Sequence, residues 1–159
     1  MKSFAKNYLL KFSILFFVLV VDLVTKHFLY NYGTFSFLPY VLGARPAITL
    51  NSGGAWGFLS HSLWLLILIT FVFLAVVVFV EVKWKNTHPL YSVALSLIVG
   101  GAVGNLIDRI FLGGVRDFIY FEFWPSFPTF NFADCALCIG MVLMVIYVLF
   151  VGGEKKVNS

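Results

Sequence analysis

The chain has 159 residues, of which 61% are hydrophobic and 11% are charged, and its formal net charge is +4. Soluble globular domains are about 45–50% apolar and about 25% charged, so this composition excludes a soluble domain and predicts a membrane protein. The positive charge comes from scattered lysines and not from a basic block interleaved with aromatic residues, so no nucleic-acid partner is expected. We expect residues 1–159 to form one integral membrane domain surrounded by lipid.

The N-terminal stretch carries lysines ahead of an apolar run, as a secretory signal does. The small residues of a cleavage site do not follow that run, so we interpret it as a retained first span. A membrane core of about 30 Å needs about 20 helical residues, and four segments reach that length. The predicted spans are residues 12–30, 63–82, 90–110 and 133–151.

Two long connections and one short one join the spans. Residues 31–62 contain the β-prone pieces "TFSFLPYVL" and "PAITL", which Gly and Pro interrupt. The second connection, "KWKNTH", is a tight hairpin, and the third, residues 111–132, contains the aromatic run "FIYFEFWPSFPTF". The small residues of "GGAVG" in the third span predict close helix packing.

Lysines concentrate at the two ends of the chain and in the short hairpin, which share one face of a four-span protein. They are Lys2, Lys6, Lys11, Lys83, Lys85, Lys155 and Lys156. The positive-inside rule therefore predicts that both termini and the hairpin are cytoplasmic and that the long connections face outward. Tyr120 and Trp124 then suit an aromatic belt at the outer interface.

Polar residues of the predicted spans gather at one depth, near the outer interface. A helix rises about 1.5 Å per residue, so position within a span indicates depth. Ionisable groups within spans are costly, roughly 2.5–3.5 kcal/mol at the bilayer centre, and usually face partners in a bundle interior. Clustering at one level therefore favours a site. The residues at this level are Asp22, Lys26, Asn51, Asn105, Asp108, Arg109, Asp117, Asn131 and Asp134.

Each of these residues also has a purely structural interpretation. Asp22 and Lys26 are four positions apart and could pair on one helix face. Asn131 could cap the fourth helix, with Asp134 as the acid of a capping box. The arginine at the end of the third span could extend to lipid headgroups, and Asp117 could be a solvated loop acid. Two acids that bracket the aromatic run of one outer connection nevertheless favour a functional pair.

The two acids suggest a chemistry. No thiol or hydroxyl stands with an imidazole in a nucleophile pattern, and no His, Cys, Asp or Glu residues have the spacing of metal ligands. Two converging carboxylates cannot both ionise comfortably, because like-charge repulsion and low dielectric raise one pKa. A pair that shares one proton can activate water and polarise a carbonyl. Asp117 and Asp134 therefore favour aspartic-type peptide hydrolysis at the outer membrane edge.

Five short motifs, in order along nearly the whole chain, resemble those of the bacterial lipoprotein signal peptidases, the signal peptidase II family. The resemblance implies an all-α membrane protein with four transmembrane helices and a small β-platform in its outer connections. It also implies an intramembrane aspartyl endopeptidase of the bacterial inner membrane, which removes the signal peptide from diacylglyceryl-modified prolipoproteins by cutting before the lipidated cysteine. The motifs are "DLVTK" (22–26), "NSGGAW" (51–56), "GGAVGNLIDR" (100–109), "VRDF" (115–118) and "FNFAD" (130–134).

The resemblance implies a role for each matched residue. Asp117 and Asp134 match the catalytic aspartates, at the outer face of the membrane. Asp22 and Lys26 match a first-span pair with a structural role. No cofactor is implied, and nothing demands more than a monomer. The positions that bind substrate or support its site are matched by Asn51, Gly53, Asn105, Arg109, Asn131 and Ala133.

Three positions depart from the usual family pattern. Leu23 stands where Gln is common, Trp56 replaces a common Phe, and Arg116 stands where an apolar residue often precedes the catalytic aspartate. Arg116 would lower the pKa of Asp117 if its side chain turned toward that carboxyl, but neighbours in sequence often point apart.

Two other functions fit parts of the sequence. "CALC" (135–138) is a C-x-x-C motif that would suit a quinone-linked thiol oxidoreductase, but such chemistry needs a second, shuttling pair, and the chain has only two cysteines. The outer polar residues could also line an ion pathway. A conduit needs polar residues through the full membrane thickness, however, and we expect the inner halves of the spans to be apolar.

Overall fold

The computed structural model describes residues 2–32, 35–37, 42–44, 50–53 and 62–152. Trp56, Lys155, Lys156 and most of "PAITL" lie outside these ranges. The described helices are α1 (Lys2–Tyr32), α2 (Leu63–Trp84), α3 (Pro89–Leu112) and α4 (Phe132–Ile146), which a π-helical stretch, Tyr147–Val151, extends. The described strands are β1 (Phe35–Phe37), β2 (Leu42–Ala44) and β3 (Ile119–Phe121).

Each helix contains a stretch that is long and apolar enough to cross a membrane. The four-helix membrane fold predicted from hydropathy is therefore confirmed. Helix α1 begins at Lys2 and not near residue 12, because the lysine-bearing stretch continues the same helix while hydropathy marks only its lipid-compatible part. The four stretches are Lys6–Leu29, Leu63–Trp84, Pro89–Leu112 and Phe132–Val151.

The hairpin between α2 and α3 is as tight as the sequence predicts. Lys85 ends α2 in the left-handed region, with φ of 43°. His88 then caps α3, because its Nδ1 accepts a hydrogen bond from the backbone N–H of Leu90 at 3.2 Å. Pro89 occupies the first turn, where its missing N–H costs nothing. The two helices therefore run antiparallel with a four-residue turn between them.

Helix α3 packs against both α1 and α4, and glycines allow the close approach. A Cβ built on Gly101 would lie 2.4 Å from the backbone oxygen of Ala133, and one built on Gly104 would lie 2.5 Å from Oδ2 of Asp22. The close packing predicted from "GGAVG" is therefore confirmed. Helix α2 packs along α3, and none of its residues is buried.

The three strands form an antiparallel sheet in the order β1-β2-β3. Leu42 pairs with Phe121 and Ala44 pairs with Ile119, so the first long connection is joined to the third. An isolated antiparallel bridge between Asn51 and Val115 joins the same two connections again. The β-platform that the family resemblance implies is therefore present, and it lies beside the segment that carries Asp117.

A second polar cluster lies at the opposite end of the bundle, where α1 and α3 begin and α2 ends. Lys11 forms an ion pair with Glu81, and its Nζ also donates to the backbone oxygen of Asn86 at 3.0 Å. The Ser92 hydroxyl donates to Oδ1 of Asn7 at 2.7 Å. The expectation that the inner halves are apolar is thus wrong at this end. These residues pair across 70 or more positions, so their proximity is a product of the fold.

Candidate active site

Asp117 is buried between two asparagine side chains. Only 4% of the residue is exposed, so it is not the solvated loop acid of the structural interpretation. Its Oδ2 accepts a hydrogen bond from Nδ2 of Asn51 at 2.8 Å, and its Oδ1 accepts one from Nδ2 of Asn131 at 2.7 Å. Oδ1 of Asn51 in turn accepts from the backbone N–H of Gly53 at 3.1 Å, which fixes the orientation of that amide.

Asp134 lies in the first turn of α4 and forms a capping box with Asn131. The backbone N–H of Asp134 donates to Oδ1 of Asn131 at 3.0 Å, and the backbone N–H of Asn131 donates to Oδ2 of Asp134 at 3.1 Å. The predicted cap is therefore confirmed. Oδ1 of Asp134 also accepts from Nδ2 of Asn105 at 2.7 Å. Both acids are thus hydrogen-bonded to Asn131, which brings the loop and the helix terminus together.

Lys26 supports this arrangement from α1. It is fully buried and forms the expected ion pair with Asp22, at 2.8 Å between Nζ and Oδ2. Nζ also donates to Oδ1 of Asn105 at 2.9 Å, which orients the Asn105 amide toward Asp134. Oδ1 of Asp22 accepts from the backbone N–H of Ala133 at 3.0 Å and so satisfies a free donor at the start of α4.

Asp117 and Asp134 line one cavity of about 480 Å³. Arg109 also lines it, and Nε of this arginine is buried without a hydrogen-bond partner among the described residues. The rings of Phe121, Phe127 and Phe130 pack against one another along the cavity wall. The cavity is therefore mostly apolar, and its lining includes two acids, one arginine and the side chains of Asn51 and Asn105.

Exposed aromatic rings continue this wall outward. Trp124 contacts Phe127 and is 50% exposed, and Phe123 contacts Phe121 and is 64% exposed. Aromatic side chains favour the membrane–water interface, so this position agrees with an aromatic belt beside the acids.

The electrostatic environment favours the neutral form of the loop acid. Burial, and after it the neighbouring Asp134 carboxylate, raise the pKa of Asp117 from 3.8 to about 6. Hydrogen bonds from Asn51 and Asn131 and the charge of Lys26 oppose that shift without cancelling it. An acid with this pKa can change its protonation state near physiological pH, which suits acid–base chemistry.

A further buried ion pair, which includes the residue before Asp117, was not expected from the sequence. Asp108 is fully buried, and Arg116 binds it, with 2.7 Å between Nη2 and Oδ1. Arg116 therefore turns to Asp108 on α3 and not to Asp117. Neighbouring side chains of an extended segment point to opposite sides, which indicated that Arg116 turns away from Asp117. That pattern could not identify Asp108 as its partner.

The described residues contain no group of three or more His, Cys, Asp or Glu side chains that could hold a metal ion. Cys135 and Cys138 are free thiols, and both line the cavity. The two carboxylates also line this cavity and are acid–base groups that the fold brings together.

Comparisons with known proteins agree with this architecture. A family model described as Signal peptidase (SPase) II matches residues 14–150. A bacterial membrane enzyme solved by the in meso method at 2.3 Å resolution is 34% identical and has a TM-score of 0.82, with 94% of this chain and 93% of that chain covered. A second such structure, at 1.9 Å resolution, is 34% identical with a TM-score of 0.77, covering 89% and 93% of the two chains.

Proposed function

Because the chain belongs to the signal peptidase II family, an aspartic peptidase family, we propose that it removes the signal peptide of diacylglyceryl-modified prolipoproteins by cutting before the lipidated cysteine. The observation that carries this proposal is the placement of Asp117 and Asp134. Both are hydrogen-bonded to Asn131, and both line one apolar cavity at the end of the bundle where α4 begins.

In the proposed reaction, Asp117 and Asp134 share one proton. The ionised carboxylate accepts a proton from a water molecule as the water oxygen attacks the scissile carbonyl carbon. The neutral carboxyl donates its proton to the carbonyl oxygen, which gives a tetrahedral intermediate. When the C–N bond breaks, the acid that took the proton of water gives it to the leaving amine. The other carboxylate takes a proton back from a hydroxyl of the intermediate, which collapses to a carboxylic acid and leaves the pair with one shared proton again. Like-charge repulsion between the two acids keeps one of them neutral and therefore able to donate.

The surrounding amides have positioning roles in this proposal. Asn51, Asn105 and Asn131 each donate to a catalytic carboxylate, so they hold the acids in place and favour the ionised form of one of them. Gly53 supports Asn51 through its backbone N–H. Ala133 supports the start of α4 through its hydrogen bond to the first-span acid.

Arg109 is proposed to bind the substrate. It lines the cavity that both acids line, which places a hydrogen-bond donor of fixed charge beside the bound peptide. Asp22 and Lys26 are proposed to be structural, because they are fully buried and bind α1 to α3 and α4.

The proposed setting is the bacterial inner membrane, with both termini in the cytoplasm and the cavity at the outer face. A signal peptide presents its cleavage site at the outer end of its own apolar segment, so the acids are needed at that level. The aromatic, largely apolar cavity wall suits a lipid-modified substrate that enters from the bilayer. We propose that the chain acts as a monomer of one integral membrane domain and without a cofactor.

The proposal is tested with purified protein and lipid-modified prolipoprotein, with a chelator present. Wild-type protein should release the shortened product. The variants Asp117→Asn and Asp134→Asn should each release none, although both should accumulate in the membrane to wild-type levels. Glu122→Gln is a matched control, since Glu122 belongs to the same connection as Asp117 but does not line the cavity. Full turnover by either aspartate variant would refute the dyad. Loss of wild-type turnover on chelation would overturn the metal-free mechanism.

A further inference from the structure

Arg116 holds one buried carboxylate of α3 with both its side chain and its backbone. Its Nε lies 3.1 Å from Oδ2 of Asp108, its Nη2 lies 2.7 Å from Oδ1, and its backbone N–H donates to Oδ2 at 3.0 Å. The guanidinium therefore binds the carboxylate in the bidentate geometry that makes arginine–carboxylate pairs strong and directional. Asp108 is fully buried and the Arg116 side chain is 15% exposed, so solvent weakens the pair only slightly.

The position of Arg116 in the chain connects this ion pair to the proposed active site. Val115 is fixed on one side by its two backbone hydrogen bonds with Asn51, at 2.8 and 2.9 Å. Phe118 is fixed on the other side by the hydrogen bond from its N–H to the backbone oxygen of Phe130, at 3.1 Å. Between them, Arg116 ties the segment to α3, one residue before Asp117. The backbone that carries Asp117 is therefore held from three directions.

The ion pair also balances the charge around Lys26. Nζ of Lys26 lies 2.8 Å from Oδ2 of Asp22 and 3.5 Å from Oδ2 of Asp108. With Arg116 present, this buried cluster contains two acids and two cations. Without Arg116, both acids would compete for Lys26, whose Nζ also donates to Asn105 at 2.9 Å. Since Asn105 donates to Asp134, Arg116 is linked to both proposed catalytic acids.

We propose that Arg116 is a positioning residue, whose ion pair with Asp108 holds Asp117 in register with Asp134 for the reaction. This inference rests on the proposed function. Misplacement of a reacting group by about 1 Å can cost on the order of 100-fold in rate, so a displaced segment would be visible in turnover.

The experiment measures kcat, KM and the thermal unfolding midpoint for Arg116→Met and Arg116→Lys. We expect Arg116→Met to lower kcat by roughly 10- to 100-fold with little change in KM, because the acids are displaced while the cavity stays intact. Arg116→Lys keeps the positive charge but cannot form the bidentate hydrogen bonds of arginine, so it should retain part of kcat. Lys83→Met removes a cation at the far end of α2 and is the control, with kcat expected to match that of wild type.

A double variant separates positioning from bulk stability. If Arg116 acts through Asp108, then Asp108→Asn combined with Arg116→Met should lower kcat no further than the more impaired single variant. An unchanged kcat in Arg116→Met with a lower unfolding midpoint would overturn the inference, as would a rise in KM alone. If Arg116→Met does not accumulate, full kcat in Arg116→Lys overturns the inference and partial kcat supports it. Wild type and Asp117→Asn are assayed in parallel. If wild type does not process prolipoprotein, or if Asp117→Asn does, the proposed function fails whatever the role of Arg116.

Discussion

Asn131 donates its side-chain amide to Oδ1 of Asp117 at 2.7 Å, and the same side chain caps α4 through its own oxygen. We predict that Asn131→Ala loses both interactions. Loss of the cap should cost about 1 kcal/mol of stability, seen as a lower unfolding midpoint. Loss of a hydrogen bond to a carboxylate, about 1.5–3 kcal/mol, should lower the rate of prolipoprotein processing by at least about 10-fold.

Asn131→Ser distinguishes the two roles of this residue. Serine is a good N-cap, so its midpoint should be close to that of wild type. Its shorter side chain cannot span to Asp117, so processing should remain impaired. Wild-type processing by the serine variant would show that the contact with Asp117 has no part in activity.

The raised pKa of Asp117 makes stability depend on pH. Its folded-state pKa is about 6, against an ordinary value of 3.8 for an exposed aspartate, so between these values the folded state binds more protons than the unfolded state. The free energy of unfolding therefore falls as the pH rises through this window, and the loss is complete above about pH 6. We predict that wild type loses stability relative to Asp117→Asn across this range, measured by unfolding midpoints in detergent. Parallel curves for the two proteins would contradict the assigned pKa.

The contact between α3 and α4 should not tolerate an added methyl group. A Cβ on Gly101 would meet the backbone oxygen of Ala133 at 2.4 Å, and backbone cannot move aside as a side chain can. We predict that Gly101→Ala destabilises the fold by about 1–3 kcal/mol, the usual cost of overpacking, and reduces processing because α4 carries Asp134. Gly152→Ala is the control, since its nearest neighbouring atom is 3.4 Å away. Equal midpoints for the two variants would contradict this close packing.

The two cysteines line the cavity but have no role in the proposed reaction. We predict that the double variant Cys135→Ala, Cys138→Ala processes prolipoprotein within a few-fold of the wild-type rate. A maleimide that labels either thiol should block the wild-type enzyme by filling the cavity, and it should leave the double variant active. Loss of turnover in the double variant without reagent would instead support the thiol oxidoreductase interpretation.

Hydropathy and residue order were sufficient to predict the four helices, because a membrane-spanning helix satisfies its backbone within one segment. The motif set placed Asp117 in the third connection and Asp134 at the start of the fourth helix, and it predicted asparagines beside them. The capping box between Asn131 and Asp134 could also be predicted from the sequence, since the two residues are three positions apart. These features depend on local sequence or on recognisable motifs, and for that reason they could be predicted.

The remaining interactions join residues that are distant in the chain, and no local pattern records them. Lys26 was expected to pair with Asp22, one turn away, but its bond to Asn105 crosses 79 positions. The hydrogen bond from Ala133 to Asp22 crosses 111 positions. Arg116 had an acid immediately beside it in sequence, yet it binds Asp108. These partners are decided by how α1, α3 and α4 pack and by how the segment after α3 folds back on that helix.

Helix α2 has no buried residue, whereas the proposed active site is assembled from α1, α3, α4 and the connections. Because little of this helix is held by protein packing, we expect its tilt to respond to a mismatch with bilayer thickness more readily than the tilt of α3 does. A change in membrane thickness should reorient this helix while the carboxylates keep their spacing. Lipid composition would then change how readily a substrate enters the cavity from the bilayer, without altering the chemistry that follows.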